Sequence, residues 1–421
     1  MKSFNHNSKA NISLFYRRAV ISFAGVFLLL VATLTSDPDY YFMAVSILIL
    51  PLISWVIGRF SLKGLSIERK LLTGEFEGEL VEITLTVHNH LAIPRALLFL
   101  SDELPDWLVP QAEGIQHISL PPAESASVSY LVEAKKRGAY RIESVIISSQ
   151  DPLGLFSYNV RKKILSEILI YPLPRQFPEI DLTGSDRHGF RDLPAGAIRG
   201  SGVEPDGVRE YVPGDPLRRL HWKSLARTGK LNVIEFEESR SMSVIFALDL
   251  TRNSIAGEGR QSTLEYLVSA AASLSSQALR EGASLRMVTA EEEDPANQPG
   301  RGQNHLLAIL AALAKVEAVD KLPLSAYIRN RVGQIAAGTA LVVFTSNPDP
   351  ELPDVIRSIA GRGASVHVFY AAPALFGKSY RLIDTQHERD FIEQLEAADV
   401  EVLTIHPTPD DSIQLESNWH A

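Results

Sequence analysis

Cysteine is absent from all 421 residues. That removes disulfide frameworks, thiolate zinc sites and thiol nucleophiles together. The chain also lacks a P-loop, an H-E-x-x-H pair and a G-x-S-x-G elbow, so three common routes to nucleotide, zinc or serine chemistry have no carrier. No internal repeat is visible. What is present is an ordinary globular mixture, 45% apolar and 22% charged, and the length calls for two or three domains.

The net charge of −9 is unevenly spread. Residues 1–70 hold eight Lys/Arg against three Asp/Glu, a net +5, which leaves −14 on the remainder. A nucleic-acid binder shows the opposite arrangement, a basic soluble domain. The Arg-rich stretch from Arg187 to Lys230 carries nine Lys/Arg against five Asp/Glu, only +4, and Glu235, Glu237 and Glu238 follow at once. Nucleic acid is therefore not expected as a partner.

The basic residues flank two uncharged apolar runs, Ala19–Leu34 and Phe42–Gly58. Each approaches the ~17–25 residues needed to cross the hydrocarbon core. Pro51 breaks a soluble helix but is tolerated in a membrane one. Tyr40, Tyr41 and Trp55 stand near the ends, where amphipathic rings favour the interface. No small-residue cleavage pattern follows Leu34, which disfavours a signal peptide. The connector Ser36–Tyr40 has no Lys or Arg, whereas Arg17, Arg18, Arg59, Lys63, Arg69 and Lys70 lie on the outer flanks. The positive-inside rule then predicts a two-helix, multi-pass anchor in the cytoplasmic membrane, lipid as its partner, and both N-terminus and soluble body in the cytoplasm.

The body changes rhythm partway along. Val81–Val87, Ser127–Val132 and Ser144–Ile147 alternate or run apolar between turn residues, which predicts an antiparallel, Ig-like β-sandwich. From Ser243 strand and helix alternate, through Val244–Leu248, Thr263–Glu281, Leu285–Val288, His305–Val319, Leu341–Phe344, Leu352–Ala360, Val366–Phe369, Glu388–Ala398 and Val400–Ile405. That rhythm predicts a mainly parallel α/β sheet. Glu291–Gln303 reads as a mobile loop, and the tail after Pro407 as unpaired. The expected division is 1–62 for the N-terminal tail and anchor, 63–178 for the sandwich, 179–240 for a linking region, 241–408 for the α/β domain and 409–421 for the tail.

The linking region holds the densest motif, Val208 to Leu231. Pro213-Gly214 suits a type II turn. Asp215 can cap a short helix with Pro216 in its first turn, and Gly229 can end that helix in the left-handed conformation. On such a helix Arg218, His221, Trp222 and Leu225 share a face. Arg209, Glu210, Asp215, Arg218 and Arg227 can form a charge network around the turn.

Arg209-Glu210-Tyr211, Pro213-Gly214-Asp215, Arg218-x-x-His221-Trp222, Ala226-Arg227-x-Gly229-Lys230-Leu231 and then Glu235 and Glu237 together resemble the hallmark of the bacterial domain-of-unknown-function family fifty-eight. Lys136–Tyr140 followed by Asp151–Phe156 is similar to that family's upstream β-domain signature. The resemblance implies a von Willebrand factor A-like (Rossmann-type) domain at the C-terminus and association with a MoxR-type AAA+ ATPase. It makes Arg209, Glu210, Tyr211, Gly214, Asp215, Arg218, His221, Trp222, Arg227 and Glu235 the candidates for a structural or partner-binding role. No cofactor is expected, with Mg²⁺ the one candidate, at a degenerate site. Domains of that class that hold Mg²⁺ end their first strand in Asp-x-Ser-x-Ser, because a hard cation needs converging oxygens. Here Asp249 matches, Thr251 replaces the first serine, and Asn253 departs from the second; Asp349 lies near the end of a later strand.

Three functions remain open at this point. The first is a membrane-tethered interaction or assembly factor rather than an enzyme. The second is a hydrolase-like enzyme pairing His221 with Asp215 or Glu210. The third is metal-dependent ligand binding at Asp249.

Overall fold

The computed structural model describes residues 4–71, 74–111, 116–151, 153–175, 180, 205–211, 221–229, 231–236, 242–288, 294–318, 323–331, 335–376, 385–398, 400–407 and 413–417. They divide into two compact units, Met1–Leu173 and Pro174–Ala421.

The first unit opens with two helices, α1 (Phe4–Thr35) and α2 (Pro38–Ser61), packed against each other as a hairpin. Asp37 caps α2 by accepting a hydrogen bond from the Asp39 N–H at 3.0 Å, and Pro38 occupies the first turn. The connector is therefore shorter than the sequence suggests, because Pro38 to Tyr40 already belong to α2. Segments Tyr16–Thr35 and Pro38–Ser61 are long and apolar enough to cross a membrane. Their large side chains, among them Phe23, Phe27, Leu30, Phe42, Leu52 and Ile53, point outward.

Nine strands follow: β1 (Leu65–Leu71), β2 (Glu75–Phe76), β3 (Leu80–Asn89), β4 (Arg95–Asp102), β5 (Leu108–Pro110), β6 (Gln116–Leu120), β7 (Ser125–Ala134), β8 (Gly138–Gln150) and β9 (Ser157–Tyr171). One sheet has the order β1-β3-β7-β5 and the other β2-β9-β8-β4-β6; every described pairing is antiparallel except the short β2–β9 contact. Inward residues at period two, such as Val81, Ile83, Leu85 and Val87 of β3 and Val145 and Ile147 of β8, fill one core shared by both sheets.

A buried polar knot crosses that core. Arg69 on β1 pairs with Asp102 on β4, both side chains essentially inaccessible. Its guanidinium also donates to the carbonyls of Ile142 at 2.9 Å and Ile164 at 2.8 Å. The Tyr130 hydroxyl on β7 donates to the same carboxylate, and burial with that neighbouring charge pushes the phenol well above its ordinary range. Each sheet thus contributes to one ion pair. This corrects the reading of Arg69 as a membrane-flanking charge: it is spent inside the protein.

The hairpin is tied to the two sheets by the β8–β9 turn. Asp151, 2% exposed, accepts from the Ser54 hydroxyl on α2 and from the backbone N–H groups of Leu153 (3.0 Å) and Phe156. Arg18 on α1 donates to the Leu155 carbonyl at 2.7 Å and lies over the Phe156 ring. The Tyr158 hydroxyl donates to the Trp55 carbonyl at 3.3 Å. A side chain at Gly58 would collide with the Tyr158 ring, so this approach requires glycine. Burial and the nearby Asp151 raise the Tyr158 pKa, against the opposing positive fields of Arg59 and Arg18.

The second unit contains a two-stranded antiparallel ribbon, β10 (Pro205–Glu210) with β11 (Asn232–Phe236), and a short helix α3 (Trp222–Thr228) between them. A six-stranded sheet follows, built from β12 (Ser243–Leu248), β13 (Ser284–Val288), β14 (Thr339–Thr345), β15 (Ser365–Tyr370), β16 (Glu401–Pro407) and β17 (Ile413–Ser417) in the order β13-β12-β14-β15-β16-β17. The first five are parallel and β17 is antiparallel to β16. The tail read as unpaired therefore supplies an edge strand. Central β14 is buried at every position, as a strand covered on both faces should be.

Helices α4 (Thr263–Arg280), α5 (Gly302–Lys315), α6 (Leu324–Arg329), α7 (Leu352–Ala360) and α8 (Thr385–Glu396) accompany the sheet. Leu352, Val355, Ile356 and Ile359 of α7 and Phe391, Ile392 and Leu395 of α8 join one cluster with Leu341, Val343, Val366 and Val368. α6 was not anticipated from the sequence. Part of the expected mobile loop is folded: a 3-10 turn spans Pro295–Asn297, and Leu285 bridges Gly300. α4 carries a polar stripe at three- and four-residue steps. Ser273 donates to the Arg175 carbonyl at 3.1 Å, Gln277 donates to the Ile180 carbonyl at 3.1 Å, and the Arg175 guanidinium stacks on Tyr266. The start of the linking region is thereby held on α4.

Two outcomes test these packings. Removing one partner of a buried ion pair strands the other, so Asp102→Ala should cost roughly 3–5 kcal/mol in denaturant unfolding of the detergent-solubilised chain. Glu388 on α8 is fully buried, and that burial raises its pKa. The native state holds that proton more tightly than the unfolded chain, so the stability this group contributes falls as pH rises through the ordinary carboxyl range toward the raised native value. Glu388→Gln should accordingly raise the melting temperature at pH 8, with the gain shrinking as the pH falls to 4.

Candidate functional site

Two places collect the residues singled out from the sequence. The first is the ribbon. Arg209 pairs in register with Val233, Glu210 with Asn232 and Gly207 with Glu235. Tyr211 N–H donates to the Leu231 carbonyl at 2.9 Å, and His221 N–H donates to the Asn232 carbonyl at 2.8 Å. The ribbon thus closes on itself, with Asn232 bonded to His221 through its backbone and to the Ser224 hydroxyl through its amide at 2.7 Å. Gly229 ends α3 at φ 69°, its N–H bonded to the Leu225 carbonyl, as the left-handed cap requires.

The start of α3 differs from expectation. His221 precedes the first helical residue, at φ −84° and ψ 79°, and makes no side-chain cap. It does not share a helical face with Trp222 and Leu225. Gly214, Asp215 and Arg218 lie outside the described residues, as do the side chains of Arg209, Glu210 and Glu235, so the expected charge network falls outside them too. Trp222 is 63% exposed at the start of α3, and Arg227, near its end, is exposed too. The His221 Nδ1 is buried and has no hydrogen-bond partner among the described residues.

The second place is the carboxyl end of the parallel sheet. The first strand of the six-stranded sheet, β12, lies between its second and third, β13 and β14, so the chain reverses direction of winding at β12 and β14. Crevices in open α/β sheets form at such a reversal. Asp249 follows β12, and its N–H donates to the Phe344 carbonyl of β14 at 2.8 Å. The carboxylate is 4% exposed. Its Oδ1 accepts from the Thr251 N–H at 3.0 Å and hydroxyl at 2.7 Å, and its Oδ2 from the Thr345 hydroxyl at 2.8 Å. Ser346 donates to Ser254 at 3.2 Å, and Ser254 to the Thr251 carbonyl at 2.8 Å.

Asp249 and Thr251 therefore do come together, and the structure adds Thr345, Ser254 and Ser346. Those three were missed; the signal available for them was Thr345-Ser346 closing a buried strand. Asn253 stands on the 3-10 turn Arg252–Ser254. Asp349 accepts instead from the Ser325 and Glu351 N–H groups. The cluster around Asp249 gathers one carboxylate and several hydroxyls, the oxygen type a hard cation takes, but Asp249, Ser254, Thr345 and Ser346 are buried and both carboxylate oxygens already accept hydrogen bonds. Among the described residues no group of three or more His, Cys, Asp or Glu converges.

Residues 207–369 match the family model described as "Protein of unknown function DUF58". That span contains both places just described. The chain is also similar to the uncharacterized protein YeaD of Bacillus subtilis (strain 168), 26% identical over 280 residues, which is 61% of this chain and 63% of that protein. A crystal structure of a protein of unknown function from Porphyromonas gingivalis W83 aligns with 28% of this chain and 52% of its own at 13% identity, with a TM-score of 0.20.

Thr345→Val leaves one oxygen of a buried carboxylate without its donor. The expected cost is about 1–3 kcal/mol in chemical denaturation, against a near-neutral Thr345→Ser that keeps the hydroxyl.

Proposed function

We propose that the chain is a membrane-anchored interaction or assembly factor, with its body on the cytosolic side, that works with a MoxR-type AAA+ ATPase. The observation that carries the anchor is the hairpin: two helices of membrane-spanning length present unbroken apolar surface outward, more than a monomer in water leaves exposed. Arg18 and Arg59 bound the two apolar runs at one end, and Asp37 and Asp39 occupy the other. That asymmetry supports the cytosolic orientation.

On this reading the two-sheet unit is an Ig-like sandwich and the six-stranded unit a von Willebrand factor A-like domain, both common platforms for protein partners. The strand order supports the second assignment, and the match over residues 207–369 supports the family setting from which the ATPase partner comes. Exposed Trp222 at the head of α3 is the best-placed anchor for that partner, since tryptophan is enriched among interface hot spots.

A second reading, a hydrolase-like enzyme, draws on His221, whose buried Nδ1 has no hydrogen-bond partner among the described residues; metal-dependent binding at Asp249 draws on the hydroxyls gathered around its carboxylate. One set of measurements separates the interaction reading from the hydrolase. The full chain should stay in the membrane pellet after alkaline carbonate, and protease added outside intact cells should spare its body. A photo-crosslinker at position 222 should capture an AAA+ ATPase identified by mass spectrometry, and Trp222→Ala should weaken that association roughly thirtyfold, as loss of a ~2 kcal/mol anchor does. No ATPase cross-link, together with loss of cellular function in a folded His221→Gln variant, would favour the hydrolase.

A further inference from the structure

The cations at the base of the hairpin share one level. Arg18 immediately precedes the first apolar run and Arg59 immediately follows the second. Around that level the β8–β9 turn is folded back onto both helices. Arg17 reaches to within 3.2 Å of where a side chain at Gly154 would begin, and Arg18 is bonded to the Leu155 carbonyl. Arg59 stacks on Trp55 and its field reaches Tyr158, while Lys63, four residues on, sits over Phe60. Among the described residues none of these four cations is in an ion pair with an acid, and the one carboxylate near them, Asp151, is buried and already holds Ser54 and two backbone N–H groups.

The helix dipole accounts for Arg59 at the C-terminal end of α2. It does not account for Arg17 and Arg18, which lie inside α1. Leu153, at the tip of the turn, is exposed beside them. An exposed leucine next to guanidinium groups that have no acidic partner among the described residues, level with the ends of the two apolar runs, fits an interface that is greasy on one side and anionic on the other.

We propose that this collar is a headgroup site for anionic phospholipid, and that through it the two-sheet unit rests directly on the inner leaflet instead of hanging from the hairpin. Arg17, Arg18, Arg59 and Lys63 take the lipid phosphates, for which the guanidinium fork is suited, and Leu153 enters the acyl boundary. The inference rests on the anchor reading above.

Native mass spectrometry of the full chain in neutral detergent, titrated with phosphatidylglycerol and with phosphatidylcholine of the same acyl chains, tests it. The wild type should prefer phosphatidylglycerol. Each cation near an anionic surface contributes about fivefold, so Arg59→Gln with Lys63→Gln should lower the preference about thirtyfold. The charge-conserving pair Arg59→Lys with Lys63→Arg should keep most of it, which separates charge from folding. Equal affinity for the two lipids in the wild type, or an unchanged preference in the glutamine pair, overturns the headgroup site while leaving the anchor intact. Release of the wild type from membranes by alkaline carbonate overturns the anchor and the site with it.

Discussion

Asp151 is a buried carboxylate at the junction of two kinds of surface. On one side are helices whose apolar segments turn large side chains outward, and on the other a pair of sheets whose inward residues share one core. Left unpaired, a buried carboxylate would be costly. Here it is satisfied by the hydroxyl of α2 and by the backbone of its own turn, so the turn and the helix have to stay together. Around it Arg18, Tyr158 and Gly58 form contacts that hold only while the hairpin keeps this seat. The same logic recurs inside the sheets, where Arg69, Asp102 and Tyr130 make a polar connection through an otherwise apolar core.

The second unit uses hydrogen bonds differently. Its core is a parallel sheet buried on both faces, and its polar residues concentrate where strands end. Asp249, Thr251 and Thr345 lace the ends of β12 and β14 together at the point where winding reverses. Serine and glutamine on α4 take up backbone carbonyls at Arg175 and Ile180, the start of the segment that leads toward the ribbon. The ribbon, in turn, leaves a tryptophan in solvent. One unit thus holds both a cluster of hydroxyls around a buried carboxylate and an exposed aromatic side chain.

Much of this architecture is legible in the residue order because its periods are strong. Two uncharged runs near the start, period-two alternation in β3 and β7, and strand–helix alternation after Ser243 each rest on a local pattern. α7, for example, falls at Leu352–Ala360 because its apolar residues recur at helical spacing behind a proline-containing first turn. Readings that depended on distant partners fared differently. Arg69 looks like any basic flank until β4 brings Asp102 beside it. His221 reads as helical because its neighbours recur at helical steps, but its N–H is taken by the Asn232 carbonyl across the ribbon. Ile413–Ser417 looks like a tail because a short edge strand has no signal apart from the strand it pairs with. Thr345, Ser254 and Ser346 are unremarkable hydroxyls until the sheet order places them next to Asp249.

By itself the sequence determined which stretches avoid water and which alternate, and so settled the hairpin, the β-rich unit and the α/β unit; burial of apolar area depends on composition and spacing that any short window displays. Only the tertiary structure decided which polar groups meet. Hydrogen bonds and ion pairs act over about 3 Å between residues that here lie as many as 137 positions apart in the chain. Asp151 therefore became the seat of the hairpin, Arg69 a core residue and Asp249 the hub of a hydroxyl cluster through folding alone.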